Sequence, residues 1–300
     1  MRISTTLFYQ FGVDRMLEQQ TKLSQTQQQV ATGKKFLSPA DDPPAAARAL
    51  ELSTELEKMA QYQTNIDHAK ARLPLEEKIL GSMVDELQRA RELAIQANNG
   101  ALGASDRDSI ATEIGQITDN ILALANTQDA NGEYIFAGHQ GTTEPFSHDG
   151  AGTFTYNGDQ GQRQLQIGQN RAVAVTDPGD KLFMNVPATA GGIQDVFAML
   201  YNFKTDLNAN NPNINTVGDL GNAIDHIVNA QANLGPRINN LDEQSSINDT
   251  FKLQIQENLS SVQDLDYAEA VSRLNLQLVG LQASQQAFVK IQNLSLFNFL

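Results

Sequence analysis

The sequence lacks cysteine and tryptophan, and aromatic residues make up only 6% of its 300 residues. The missing cysteine excludes disulfides, thiolate metal sites and thiol nucleophiles. Glutamine and asparagine are abundant instead, with 30 and 25 residues. Because these uncharged polar side chains accompany 40% hydrophobic residues, the composition favours long amphipathic helices over a dense enzyme core.

Long apolar runs are also missing from the sequence. No stretch reaches the roughly 18 apolar residues that a membrane-spanning helix needs, so we expect no membrane partner. The opening residues Met1–Thr6 contain an arginine, but no apolar run of signal-peptide length follows it. We therefore expect no cleaved signal peptide. The missing cysteine fits either the cytosol or an export route that avoids oxidative folding.

Positive charge is scarce, because 35 acidic residues face 21 basic ones and the formal net charge is −14. A nucleic-acid partner is not expected, since phosphate binding needs a positive surface. The charge is also uneven: residues 1–50 carry +2 and residues 251–300 carry −1, so the middle holds −15. Nearly neutral ends can pack closely in many copies, whereas an acidic middle needs solvent between neighbours.

Catalytic and metal-binding motifs are absent from the sequence. The four histidines have no partner at metal-ligand spacing, and no phosphate-binding loop or serine-nucleophile motif occurs. The adjacent Asp41 and Asp42 point apart, so they form a poor acid–base pair and are better placed to cap the helix that follows. The sequence predicts no enzyme and no cofactor. The alternative, an enzyme with its acid among Asp159, Asp177 and Asp180, lacks a base, a nucleophile and a metal set.

Apolar residues at an unbroken spacing of seven dominate the first third. This row predicts a long helix with a coiled-coil seam, and Pro74 predicts a kink or break within it. A second helix is predicted from Ser105, as N-cap, with Asp108 three residues later. The first row consists of Leu52, Met59, Ile66, Leu73, Leu80, Leu87 and Ala94.

Between about residues 134 and 183 the hydrophobic period changes to two, with turn dipeptides Asp149-Gly150 and Asn157-Gly158. Helical spacing then returns and continues almost to the end, with Pro236 as a second expected kink. The sequence thus predicts a mainly α protein with a small β domain (α+β). Both chain ends form long antiparallel coiled-coil helices, and a β-rich insertion lies at the far tip.

This pattern predicts three domains. The terminal coiled-coil assembly domain comprises residues 1–45 and 255–300. The helical shaft comprises residues 46–134 and 191–254, and the β-rich outer domain comprises residues 135–190.

The terminal segments carry the candidate assembly interface. The last thirty residues have apolar residues on two roughly opposite helix faces, and only one face can pack on a helix of the same chain. The alternative is a bundle helix buried on all sides. The first C-terminal stripe is Leu274, Leu278, Leu281 and Phe288; the second is Leu276, Val279, Ile291 and Leu294. The N-terminal row is Met16, Leu23 and Val30, and its companion row is expected at Val13, Gln20 and Gln27.

Several motifs resemble the flagellin family. They lie at both ends and near the start of the β insertion, and the ending is similar to members of the family that join hook to filament. The motifs are 1–5 (MRIST), 32–35 (TGKK), 38–43 (SPADDP), 134–138 (YIFAG), 264–270 (DLDYAEA), 283–288 (ASQQAF) and 294–300 (LSLFNFL).

The resemblance implies a structural protein of the bacterial flagellum, located outside the cell. It implies a self-assembling ring of subunits between the first hook-associated protein and the filament, with flagellin as the other neighbour. It also implies export through the flagellar type III apparatus with an export chaperone, and terminal helices that order on assembly. A flagellin filament subunit is the alternative.

Overall fold

A computed structural model describes the backbone of residues 2–296 and the side chains of residue 7 and residues 9–290. The chain divides into two compact units, residues 1–58 with 250–300 and residues 59–249. Six α-helices lie in the described range. They are α1 (Arg2–Thr32), α2 (Pro43–Ala97), α3 (Ala104–Ala125), α4 (Val196–Asn208), α5 (Thr216–Gln263) and α6 (Tyr267–Leu296).

The strands all lie between α3 and α4 and form three antiparallel pairs, β1 with β2, β3 with β4 and β5 with β6. A π-helical turn, Asp180–Met184, precedes the last pair. The predicted fold class, mainly α with a small β region, is confirmed. The strands are β1 (Phe146–His148), β2 (Phe154–Tyr156), β3 (Gln164–Gly168), β4 (Arg171–Ala174), β5 (Val186–Pro187) and β6 (Ile193–Gln194).

A single hydrophobic core fills the unit of residues 59–249. From Ile66 onward, every member of the predicted row on α2 is completely buried in it. Phe146 and Phe183 of the strand-bearing segment pack there with Phe197 of α4. The strand-bearing segment thus shares its core with helices, whereas the sequence predicts a separate outer domain of residues 135–190. Substitutions in this core can test that hypothesis. The division into three domains stays a prediction.

Amide side chains of α2 and α5 form hydrogen bonds with the β3–β4 hairpin. Asn248 donates to the carbonyl of Ile167 (2.9 Å), and Gln244 donates to Asn248 (2.8 Å). Asn65 of α2 donates to the carbonyl of Gln166 (2.7 Å). Since Asn248 and Gln244 are buried, these bonds satisfy polar groups that would otherwise destabilise the core.

The break expected at Pro74 is wrong, because α2 runs on without interruption, as α5 does at Pro236; the kinks expected at the two prolines stay predictions. Pro74 lies inside α2 and Pro236 inside α5. Both prolines are exposed, so water can reach the carbonyl groups that they leave without a main-chain donor. The buried Leu73, directly before Pro74, and Leu234, two residues before Pro236, hold the two helices in the core.

The expected start of α3 and the expected continuity of helix near residue 264 are also wrong. Helix α3 begins at Ala104 after Gly103, whose amide donates to Asp106 (3.1 Å), and Ser105 is not the cap. The helical spacing predicted to continue through residue 264 is interrupted, since α5 ends at Gln263 and α6 begins at Tyr267. Asp266 starts α6 by accepting from the amides of residues 268 and 269 (2.9 and 3.2 Å). A local pattern cannot distinguish such closely spaced alternatives.

Candidate assembly interface

Helices α1 and α6 pack antiparallel in the unit formed by the two chain ends. Leu23 is buried, and Met16 and Val30 are half-buried. The companion row differs from the prediction: it is Gly12, Gln19 and Thr26, whereas Val13, Gln20 and Gln27 are exposed. Rows three and four residues away are both compatible with a heptad. The contacts with α6 select the row three residues after the main row. We call this α1–α6 contact the seam.

Phe288 occupies the end of the seam nearest the N terminus. Its ring lies 6.0 Å from that of Tyr9, edge to face. A Cβ at Gly12 would lie 3.1 Å from the Phe288 ring, so the missing side chain permits this close approach. Polar pairs follow along the seam, with Ser284 donating to Gln19 (3.3 Å).

The two C-terminal stripes differ in their surroundings. Leu274, Leu281 and Phe288 are half-buried, whereas Leu276 is 72% and Val279 is 63% exposed. Leu278 was grouped with the first stripe but is exposed, because it lies at the edge of the face that packs on α1. The side chains of Ile291 and Leu294 lie outside the described residues.

Helix α1 also exposes apolar side chains away from the seam. Leu7, Phe11 and Leu17 are each at least half exposed. Leaving a leucine or phenylalanine in water forgoes about 1.5–3 kcal/mol of burial free energy. The two terminal helices of one chain therefore cover only part of their apolar surface.

Beyond the seam, two motifs that resemble the flagellin family meet. Lys34 and Asp264 face each other in an antiparallel bridge. The amide of Lys35 donates to the carbonyl of Gln263 (2.8 Å), and the amide of Leu265 donates to the carbonyl of Gly33 (2.9 Å). We call residues 33–35 and 263–265 the clasp. Nothing in the sequence pattern indicated that these two motifs are partners.

The acidic pair at residues 41 and 42 has a structural role. Asp42 accepts from the amide of Ala45 (3.1 Å) at the start of α2, which confirms the expected cap. Asp41 accepts from the amides of Leu37 and Ser38 (both 2.9 Å). These backbone hydrogen bonds lower the pKa of Asp41 below its ordinary value.

Two of the three carboxylates of the alternative enzyme hypothesis, Asp159 and Asp177, make structural contacts. Asp159 accepts from the amides of His139 and Gly161 (2.9 and 2.8 Å). Asp177 pairs with Arg237 (2.8 Å), and Asp180 is buried. Within the described residues, no group of three histidines or carboxylates could hold a metal ion.

A cavity of about 390 Å³ lies beside α2 in the unit of residues 59–249. Its arginines are neutralised, because Arg72 pairs with Asp129 (2.9 Å) and Arg163 with Glu133 (2.7 Å). The lining therefore offers no unbalanced charge to a ligand. Among the described helices, none has the length and hydropathy to cross a membrane.

Known proteins are similar to this chain in sequence. The family model of the bacterial flagellin N-terminal helical region matches residues 3–141, and that of the C-terminal helical region matches residues 217–300. The flagellar hook-associated protein 3 of Escherichia coli K12 is 32% identical over 99% of both chains. That of Salmonella typhimurium LT2 is 29% identical, also over 99% of both. A flagellin of Treponema pallidum, FlaB2, is 27% identical over 81% of this chain and 79% of its own.

Solved structures show a similar fold. The hook-associated protein 3 of Legionella pneumophila has a TM-score of 0.65 at 22% identity, covering 70% of this chain and 98% of its own. A hook-associated protein of Vibrio parahaemolyticus also has a TM-score of 0.65, at 23% identity, covering 75% of this chain and all of its own.

Proposed function

The chain belongs to the flagellin family, in its hook-associated protein 3 group, and from this membership we propose that it is a structural component of the bacterial flagellum at the hook–filament junction. The structural observation that supports this proposal is that α1 and α6 pack on each other and still expose apolar stripes. Those stripes suit further helices, because their burial stabilises an assembly and not the isolated chain.

In this proposal the chain forms a ring of its own copies. The ring joins the first hook-associated protein to the flagellin filament, and the protein acts outside the cell. It leaves the cell through the type III export apparatus with a chaperone, without a cleaved signal peptide. Family membership supports these partners, and the nearly neutral terminal segments permit close packing of many copies.

A strain that lacks this chain tests the proposal. We expect it to be non-motile, to keep its hooks and to release flagellin into the medium, and a plasmid copy should restore attached filaments. Because the chain has no cysteine, an Ile214→Cys variant, at a position 78% exposed, can be labelled at one site. We expect label at the junction. Label along the whole filament would favour the filament subunit, and unchanged motility without the chain would contradict both roles.

Leu276→Asp tests the exposed stripe of α6. We expect the thermal midpoint of the isolated chain to stay within about a degree or two, because changes at exposed positions usually stay within ±0.5 kcal/mol. Incorporation into flagella should be lost, since a charge would have to be buried. The readouts are a melting curve and an immunoblot of sheared flagella.

Asn275→Asp is the matched control for this substitution. It adds the same charge to the preceding residue, which is exposed and already polar, and should leave incorporation intact. A large loss of chain stability in Leu276→Asp would instead support the bundle helix buried on all sides.

The exposed apolar surface also predicts how the isolated chain exchanges amide hydrogens. Residues 1–40 and 260–300 should exchange fast, because packing on one face offsets little of the entropy lost in ordering them. Residues 66–94 of α2 should be protected, since their apolar row lies in the core. Hydrogen exchange with mass spectrometry of verified monomer is the measurement. Equal protection of the ends and of α2 would contradict this expectation.

A further inference from the structure

We propose that the clasp sets the register of α1 against α6 and that the clasp and the seam form in one cooperative step. The proposal goes beyond the junction role and rests on it only in taking α1 and α6 as the assembly helices. It assigns a joint task to the two motifs, TGKK and DLDYAEA, that the sequence presents separately.

The seam specifies its register mainly at one end, where Gly12 leaves room for the ring of Phe288. Its main row on α1 repeats every seven residues at Met16, Leu23 and Val30, so a shift by one heptad presents similar side chains again. Gln19 and Ser284 make a polar pair that amides elsewhere on α1 could replace, since the helix is rich in glutamine. Along the rest of the seam, a second feature is therefore needed to hold this alignment.

The clasp supplies such a feature through its main-chain geometry. Its two hydrogen bonds flank the Lys34–Asp264 pair on both sides, and moving either strand by one residue would break both bonds. Gly33 adopts φ +70°, and a Cβ there would lie 2.8 Å from the hydroxyl of Tyr267. The left-handed backbone favours glycine at this position.

Gln29 connects the clasp to the seam. Its amide nitrogen donates to the carbonyl of Lys35 in the clasp (2.6 Å). Its amide oxygen accepts from Arg273 of α6 (3.3 Å). One side chain on α1 thus contacts both the clasp and the partner helix. Ordering this side chain for one contact places it for the other, which is the physical basis for coupled formation.

A pair of disulfide locks in the full-length chain tests the register. Lys34→Cys with Asp264→Cys joins residues that face each other, where antiparallel pairing places the Cα atoms about 4.5–5.5 Å apart, within disulfide range. Lys34→Cys with Ser260→Cys joins residues displaced by about one helical turn. Both locks close loops of nearly equal length, so their effect on chain entropy is the same.

Hydrogen exchange is compared between the oxidised and reduced forms of each locked chain. We expect the native lock to slow exchange in α1 and α6 together, by about tenfold or more, because the loop-closure entropy has been removed in advance. The displaced lock should give no protection, or should remove protection that the reduced chain has. Equal exchange in the two oxidised chains would overturn the proposal, whether both are protected or neither is.

Gly33→Ala tests the coupling without a disulfide, in the background of the native lock. An alanine held in the left-handed backbone of residue 33 is strained by about 1–2 kcal/mol, which corresponds to a 5- to 30-fold change in the opening equilibrium. We expect hydrogen exchange to accelerate by this factor equally in α1 and α6. Gly132→Ala is the matched control, since Gly132 has φ +79° but lies outside this unit and has open space around it.

Acceleration confined to the residues next to Gly33 would overturn the cooperative step. None of these measurements involves a flagellum. A failure here therefore leaves the junction role untouched, and a failure of the complementation experiment leaves the clasp untouched.

Discussion

Replacing Phe183 with alanine is expected to lower the free energy of unfolding of residues 59–249 by about 3–5 kcal/mol. The ring is completely buried. It packs edge to face against Phe136 (5.2 Å), Phe146 (5.7 Å) and Phe197 (6.1 Å). Truncation removes the transfer free energy of the ring and leaves a cavity among rigid neighbours that cannot fill it.

Circular dichroism at a helix-sensitive wavelength during urea unfolding measures this change. Because Phe183 shares its core with α3 and α4, the helical signal should lose stability together with the strand-bearing segment. Phe251→Ala, at a position about half exposed, is the control and should change stability far less. An unchanged helical transition in Phe183→Ala would instead support the predicted independent domain of residues 135–190.

Replacing Glu76 with glutamine is expected to remove a pH dependence from the stability of the same unit. Glu76 is completely buried, and neither carboxylate oxygen has a hydrogen-bond partner. Burial raises the pKa of Glu76 well above its ordinary value of 4.5, and the nearby Asp177 raises it further, against the opposing charges of Arg237 and Arg72. A neutral carboxyl is the form that such a site accepts.

The sign of the effect follows from linkage. The folded state holds this proton more tightly than the unfolded state, so the stability is fully present below pH 4.5 and is lost as the pH rises toward the raised pKa. One proton corresponds to at most about 1.4 kcal/mol per pH unit. Glutamine has a similar shape and no titrating proton, so the part of the slope due to Glu76 should disappear. The variant should be more stable than the parent chain at the upper end of the pH range.

Urea unfolding at a series of pH values checks this expectation. Asp85→Asn removes a carboxylate from an exposed position on the same helix and is the control, which should keep the slope of the parent chain. The same slope in Glu76→Gln and Asp85→Asn would contradict the assignment of the buried proton to Glu76.

Glu76 also shows what the sequence pattern can predict and what it cannot. It lies three residues after Leu73, a member of the predicted row, and residues three apart share a helix face, so the pattern places it on the buried side of α2. The pattern does not reveal that Asp177 and Arg237, from distant parts of the chain, approach this carboxyl. Burial of a position is a property of the local repeat, whereas its electrostatic environment depends on tertiary packing.

Sequence alone determined the long helices, the strand-bearing insertion and the buried row of α2, because hydrophobic periodicity is a local property that each segment carries by itself. Only the tertiary structure decided that Gly12 and Gln19 line the seam instead of Val13 and Gln20. It also decided that helix continues past both prolines and that Gly33 pairs with Leu265. The seam row and the Gly33–Leu265 pair depend on contacts between residues more than two hundred positions apart. A heptad specifies which face of a helix is apolar and leaves open which partner covers it and in which register.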